Sequence, residues 1–145
     1  MDQTSLSGLA LLQAAMDGKV PLAPIAQTMP MRLTAVAPGR INMEVEADDR
    51  HINPLGGVHG GFAATVLDSV TGCAVHTLLE AGIGYGTVDL HVKMLRPVPK
   101  NRPLAAEGRV LHLSRTLGVA EGEIRDADGK LVAHATCSCI IFRPD

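Results

Sequence analysis

"INPLGGVHGGFAATVLDSVTGCAVHTLL" runs from Ile52 to Leu79, and its second half decides the fold. Between His59 and His76 the chain reads as one continuous apolar helix with a single carboxylate, Asp68, set among Val66, Leu67, Val70 and Cys73. A helix this apolar is expected to be buried, so other elements must wrap it. An ionised carboxylate in such a setting is costly; the group either neutralises through a raised pKa or faces a polar cleft. Two explanations stand side by side. Asp68 is hydrogen-bonded to a neighbouring Thr65, Ser69 or Thr71, or sits at a buried subunit contact, or else it is a reactive group.

The flanks supply the wrapping. Downstream, Val88, Leu90, Val92 and Met94 alternate with Thr87, Asp89, His91 and Lys93 until Pro97 and Pro99 close the strand. Three more strand-like stretches follow at Leu104 to Leu113, Leu117 to Arg125 and Leu131 to Phe142, with Asp126 to Gly129 as the turn between the last two. Upstream, "MRLTAVA" and the alternating run Ile41, Met43, Val45, Ala47 read as a hairpin across Pro38-Gly39. Near the start, Leu6, Leu9, Leu12, Gln13 and Met16 recur at helical spacing behind Thr4 or Ser5 as cap, with Gly18 as stop. Small residues at Ala106, Gly108, Gly118, Ala120 and Gly122 would let strands pass close to the helix. The predicted fold is α+β: an antiparallel sheet of about six strands around one long central helix, with a short N-terminal helix covering an edge, in one domain spanning 1–145.

Composition narrows the function. At 145 residues, 46% hydrophobic and net charge −2, the chain is long enough for one core and carries no basic field to attract nucleic acid. One Tyr, two Phe and no Trp leave little for bases to stack on. Asp2 stands where a leader peptide needs Lys or Arg, and no run approaches a membrane span, so a cytoplasmic location is expected. Cys137 and Cys139 point the same way from one strand while His134 points to the other face, which argues against a metal site there. Neither a disulfide framework nor a cofactor is expected.

The motifs carry a resemblance. Asn53 to Gly61, N-x-x-x-x-V-H-G-G, followed by L-D-S-x-x-G-C-A from Leu67 to Ala74, resembles the hotdog-fold acyl-CoA thioesterases of the phenylacetate-degradation (PaaI-like) type. "GYGTVDLHVKMLRPV" from Gly84 to Val98 and "RTLGVAEGEIRDADGKLVAHATCSCIIF" from Arg115 to Phe142 are similar to that family's later strands in order. The resemblance implies hydrolysis of an acyl-CoA, with coenzyme A as part of the substrate. It assigns Asp68 as the group that attacks the thioester carbonyl or activates the water that does. It places the Gly60 amide in the oxyanion hole with His59 beside it, Asn53 orienting thioester or water, and Thr87 lining the site. Plainer roles remain open: His59 as a helix cap, Asn53-Pro54 as a turn, Gly60-Gly61 as loop punctuation, Thr87 as an exposed strand residue.

Elementary geometry adds a constraint. The first N–H groups of a helix lack internal partners and carry partial positive charge, so a carbonyl placed there is polarised as its oxygen turns anionic. Gly60 and Asp68 are eight residues apart, about 12 Å along one helix at ~1.5 Å per residue. They cannot both touch one carbonyl. A second copy must supply one of them, which requires a homodimer with antiparallel helices; the resemblance extends this to a homotetramer. Lys93, Arg96, Lys100, Arg102 and Arg115 are candidates for the coenzyme A phosphates, Arg96 and Arg115 first, with Gly61 also against substrate. Two rival readings are a non-catalytic acyl-CoA sensor and a hotdog enoyl-CoA hydratase. The latter's D-x-N-P-x-H pattern keeps only Asn53-Pro54 here.

Overall fold

A computed structural model of the chain describes residues 3–144; Asp2, on which the absence of a leader was argued, lies outside them. A single long helix, α3 (Gly60–His76), follows α1 (Gly8–Met16) and the one-turn α2 (Ile25–Thr28). Six strands run β1 (Met31–Ala37), β2 (Arg40–Val45), β3 (Gly84–Met94), β4 (Leu104–Leu113), β5 (Leu117–Arg125) and β6 (Leu131–Phe142). They form one antiparallel sheet in the order β1-β2-β4-β5-β6-β3, so β1 and β3 are its edges.

The sheet wraps α3 because its inner face is apolar and locally bare. Phe62, Val66, Leu67 and Val70 of α3 meet Ile41, Val45, Leu104, Ile124 and Val132, all at 2% exposure or less. Backbone approach is closest where side chains are missing. A Cβ at Gly108 would lie 2.1 Å from the Val70 carbonyl oxygen, and one at Gly118 would lie 2.8 Å from Val75 Cγ1. The small residues expected to admit the helix do so. No helix among the described residues is long and apolar enough to cross a membrane.

Three local expectations change. Helix α1 starts at Ser7, whose Oγ accepts the Ala10 amide at 3.2 Å, while Thr4 and Ser5 lie in a preceding 3₁₀ turn. The start is set by packing: Gly8 abuts the end of α3, where a Cβ would fall 1.8 Å from the His76 carbonyl. Ala47 leaves β2 and bridges Lys100 instead. Strict alternation in β3 places Val88 inward and Thr87 outward, but Thr87 pairs with Cys139 and Asp89 with Ser138, leaving Val88 as the extra residue of a bulge. Cys139 faces α3, so Thr87 shares the helix-facing side with Leu90 and Val92. Val88 is 55% exposed.

Candidate active site

Asp68 is not enclosed by its own chain. Although Val66, Leu67 and Val70 are fully buried, the stripe through Gly61, Ala64, Thr65 and Asp68 is left partly or wholly open by the sheet. The sheet wraps α3 from one side, and this stripe lies on the other. The Asp68 carboxylate is exposed on that stripe. The neighbouring hydroxyls do not hold it: Thr65, Ser69 and Thr71 donate to carbonyls one turn back, of Gly61, Thr65 and Leu67, at 2.7–2.9 Å. Its partner comes from the sheet, Thr87 Oγ1 donating to Asp68 Oδ1 at 2.8 Å. The bulge at Val88 aims that hydroxyl.

Behind Thr87 lie two thiols, with Cys137 and Cys139 sulfurs 4.0 and 3.9 Å from its hydroxyl and 3.5 Å from each other. The hydrogen bond from Cys139 brings Cys137 down to about 7 and pushes Cys139 up. His134 stands on the opposite face, 3.5 Å from Glu121. Among the described residues no group of three His, Cys, Asp or Glu could hold a metal.

At the start of α3, His59 is the N-cap. Its Nδ1 accepts the Gly61 amide at 2.8 Å and its carbonyl accepts the Phe62 amide at 3.0 Å. The Gly60 amide between them finds no acceptor among the described residues. Gly60 floors a cleft of about 340 Å³ with Val58, Met94 and Arg96 on its walls. A Cβ at 60 would meet the flexible end of Met94, Sδ at 2.7 Å, and one at 61 would crowd the capping His59 ring, Nδ1 at 2.8 Å. Asn53 makes the turn before the helix, its Oδ1 accepting from Leu55 and Gly57 amides at 2.9 and 3.3 Å.

Some expected partners are kept apart. Gly60 and Asp68 sit on one helix and do not converge within a chain. Arg96 borders the Gly60 cleft and a second groove with Arg102 and Lys130, whereas Lys100 is ion-paired to Asp49 at 2.7 Å. Arg115 occupies the β4–β5 turn beside Arg143. The ten residues of β4, at ~3.4 Å each, separate the two ends of the sheet by roughly 30 Å. The basic residues therefore do not form one cluster within the chain, because successive antiparallel connections fall at opposite ends.

The sequence points to acyl-pocket side chains near Val20 to Met31 and Leu78 to Tyr85 without placing them, and the structure sets residues of both stretches around one cavity. About 430 Å³ lie between α1, the segment 20–26, β1 and a stripe of α3 formed by Ser69, Cys73 and His76, with Tyr85 beside it. Burial pushes the Cys73 thiol up to about 11, raises Tyr85 and lowers His76. Tyr85 and His76 rings lie 5.2 Å apart. The α3 wall was not read from the sequence, although Ser69, Cys73 and His76 recur at spacings of four and three on one helix face. The opposite wall comes from residues far upstream.

Residues 55–133 match the profile of the Thioesterase superfamily. Human acyl-coenzyme A thioesterase 13 is 28% identical over 102 residues, 70% of this chain and 72% of its own. A Saccharolobus solfataricus protein named as an esterase is 35% identical over 105 residues, 72% of this chain and 74% of its own. A phenylacetic acid degradation-related protein of Ralstonia eutropha, known by crystal structure, superposes with TM-score 0.80 at 32% identity, covering 88% of this chain and 97% of that one.

Proposed function

The chain belongs to the thioesterase superfamily, whose hotdog fold it has, and from that membership we propose that it hydrolyses an acyl-CoA to a free carboxylic acid and coenzyme A. The observation that carries the proposal is Asp68: a carboxylate on an open helix face, held through one oxygen by Thr87 at 2.8 Å. In one route the carboxylate attacks the thioester carbonyl, expels the thiolate of coenzyme A and forms an anhydride that water cleaves. In the other it takes a proton from the water that attacks. Either way the carbonyl oxygen becomes anionic and needs a donor. The Gly60 amide, at the positive end of α3 and without an internal acceptor, suits that task.

Because the two groups lie on one helix about 12 Å apart, the active site is proposed to form in a homodimer, Asp68 of one subunit facing Gly60 of the partner subunit. His59 fixes the glycine turn, Gly61 borders the bound thioester, and Asn53 shapes the approach and has its side-chain NH₂ left to donate. Arg96, at the rim of the Gly60 cleft, and Arg115 are the proposed phosphate contacts, each from a different end of the sheet. Coenzyme A enters as part of the substrate, and the proposed reaction draws on no cofactor.

Thiol release from a panel of acyl-CoAs by wild type and Asp68→Asn tests this. Loss of a base or nucleophile predicts a fall in kcat of about 10²–10⁴-fold with the fold intact. Full activity in the variant would remove Asp68 from the chemistry. Binding of acyl-CoA by both proteins without thiol release would make the domain a sensor.

A further inference from the structure

We infer that the cavity of about 430 Å³ beside α3 holds the acyl group, and that it suits a straight aliphatic acyl group of about eight to twelve carbons. The inference rests on the thioesterase reading and adds the substrate class. Position is the first argument. Ser69 follows Asp68 directly on α3, and Tyr85 lies two residues before Thr87 on the same face of β3. The inner end of the cavity is thus within about one helical turn of the reactive carboxylate.

Size is the second. The volume is about three times that of an apolar cavity known to enclose benzene, and at roughly 30 Å³, the liquid volume of one water, per heavy atom it has room for at most about fourteen. An acetyl group would leave most of it unfilled. The lining is the third argument. Beyond the inner end, where Tyr85 and His76 supply the aromatic rings, the walls are Leu11, Leu12, Val20, Ile25, Met31 and Leu33. Leu22 and Ile25 stand 42% and 46% exposed at the rim, apolar surface that a bound chain would cover. The cleft at Gly60, with Arg96 on its wall, suits the coenzyme A side better.

Most of these walls lie upstream of residue 55, where the superfamily match begins. Chain-length preference would then be set by α1, α2 and β1, and not by the part of the chain that carries the chemistry.

The test is kcat/KM for straight-chain acyl-CoAs from acetyl to palmitoyl. The expected profile rises about two- to fourfold per methylene to about decanoyl and then levels. Ala15→Phe and Ala26→Phe, on α1 and α2, fill the cavity from different elements and should each lower the decanoyl-to-butyryl ratio by about tenfold or more, equivalent to losing room for two or three methylenes. Wild type alone gives an independent readout: decanoate should inhibit far better than butyrate. A flat profile, or variants with an unchanged ratio, would overturn the acyl chamber and leave thioester hydrolysis standing. If no acyl-CoA releases thiol, the hydrolase reading falls; calorimetric binding of decanoate, lost in both variants, then decides the chamber separately, and no binding overturns it.

Discussion

Thr87 holds one oxygen of Asp68, and the other oxygen is left without a partner among the described residues. A carboxylate fixed in this way keeps one acceptor aimed outward while its rotation is restrained. Thr87→Val removes the donor at nearly constant volume. A hydrogen bond to a charged group is worth about 1.5–3 kcal/mol, so kcat is expected to fall about ten- to a hundredfold with KM little changed. Thr87→Ser should stay within about threefold of wild type. Equal kcat for the valine variant would reduce Thr87 to a packing residue. Asp68 was legible in the sequence as the lone acid of an apolar helix, and His59, Gly60 and Gly61 as the start of that helix. The facing of Thr87 followed from the resemblance but not from alternation, because one extra residue at Val88 reverses the alternation before Leu90, and a bulge leaves no mark in a period-two pattern.

At the scale of elements, the glycines on β4 and β5 decide how near the sheet comes to α3. Gly108 is the tightest, and a Cβ there, 2.1 Å from the Val70 oxygen, would have to displace helix backbone and not a flexible side-chain end. Gly108→Ala is expected to cost about 3 kcal/mol or more, the upper range for overpacking. Gly129→Ala is the control: φ is +78° in the turn before β6, with nothing near a Cβ, so only backbone strain of about 1–2 kcal/mol applies. Urea unfolding of both variants checks the difference. If the two midpoints coincide, close helix contact is not what Gly108 is for. Strands β4, β5 and β6 were legible end to end, since each couples alternation to a recognisable turn. Helix α2 is a single turn with no period to read, and the start of α1 is fixed by contact with the end of α3, which no local signal reports.

For the whole molecule the decisive fact is what one chain leaves open. The stripe of α3 bearing Asp68 is partly or wholly open, β3 is an edge of the sheet, and Gly60 and Asp68 lie eight residues apart on one helix. A two-fold axis that sets two α3 helices antiparallel would bring each start to the other's middle. The same axis would carry the Arg115 end of one subunit toward the Arg96 end of the other, which joins basic residues that one chain holds about 30 Å apart. The proposal of a second copy comes from eight residues of helix. The separation of the arginines was not, because sequence order does not reveal which end of a sheet a connection occupies. Shared sites make a quantitative prediction for co-expressed Asp68→Asn and Gly60→Val chains, each inactive alone. In a heterodimer, one site combines the intact Asp68 with the intact Gly60 and the other combines both lesions. With random pairing about half of the dimers are mixed and each has one of two sites working, so the mixture should regain about a quarter of wild-type thiol release. A site contained within a single chain would regain nothing.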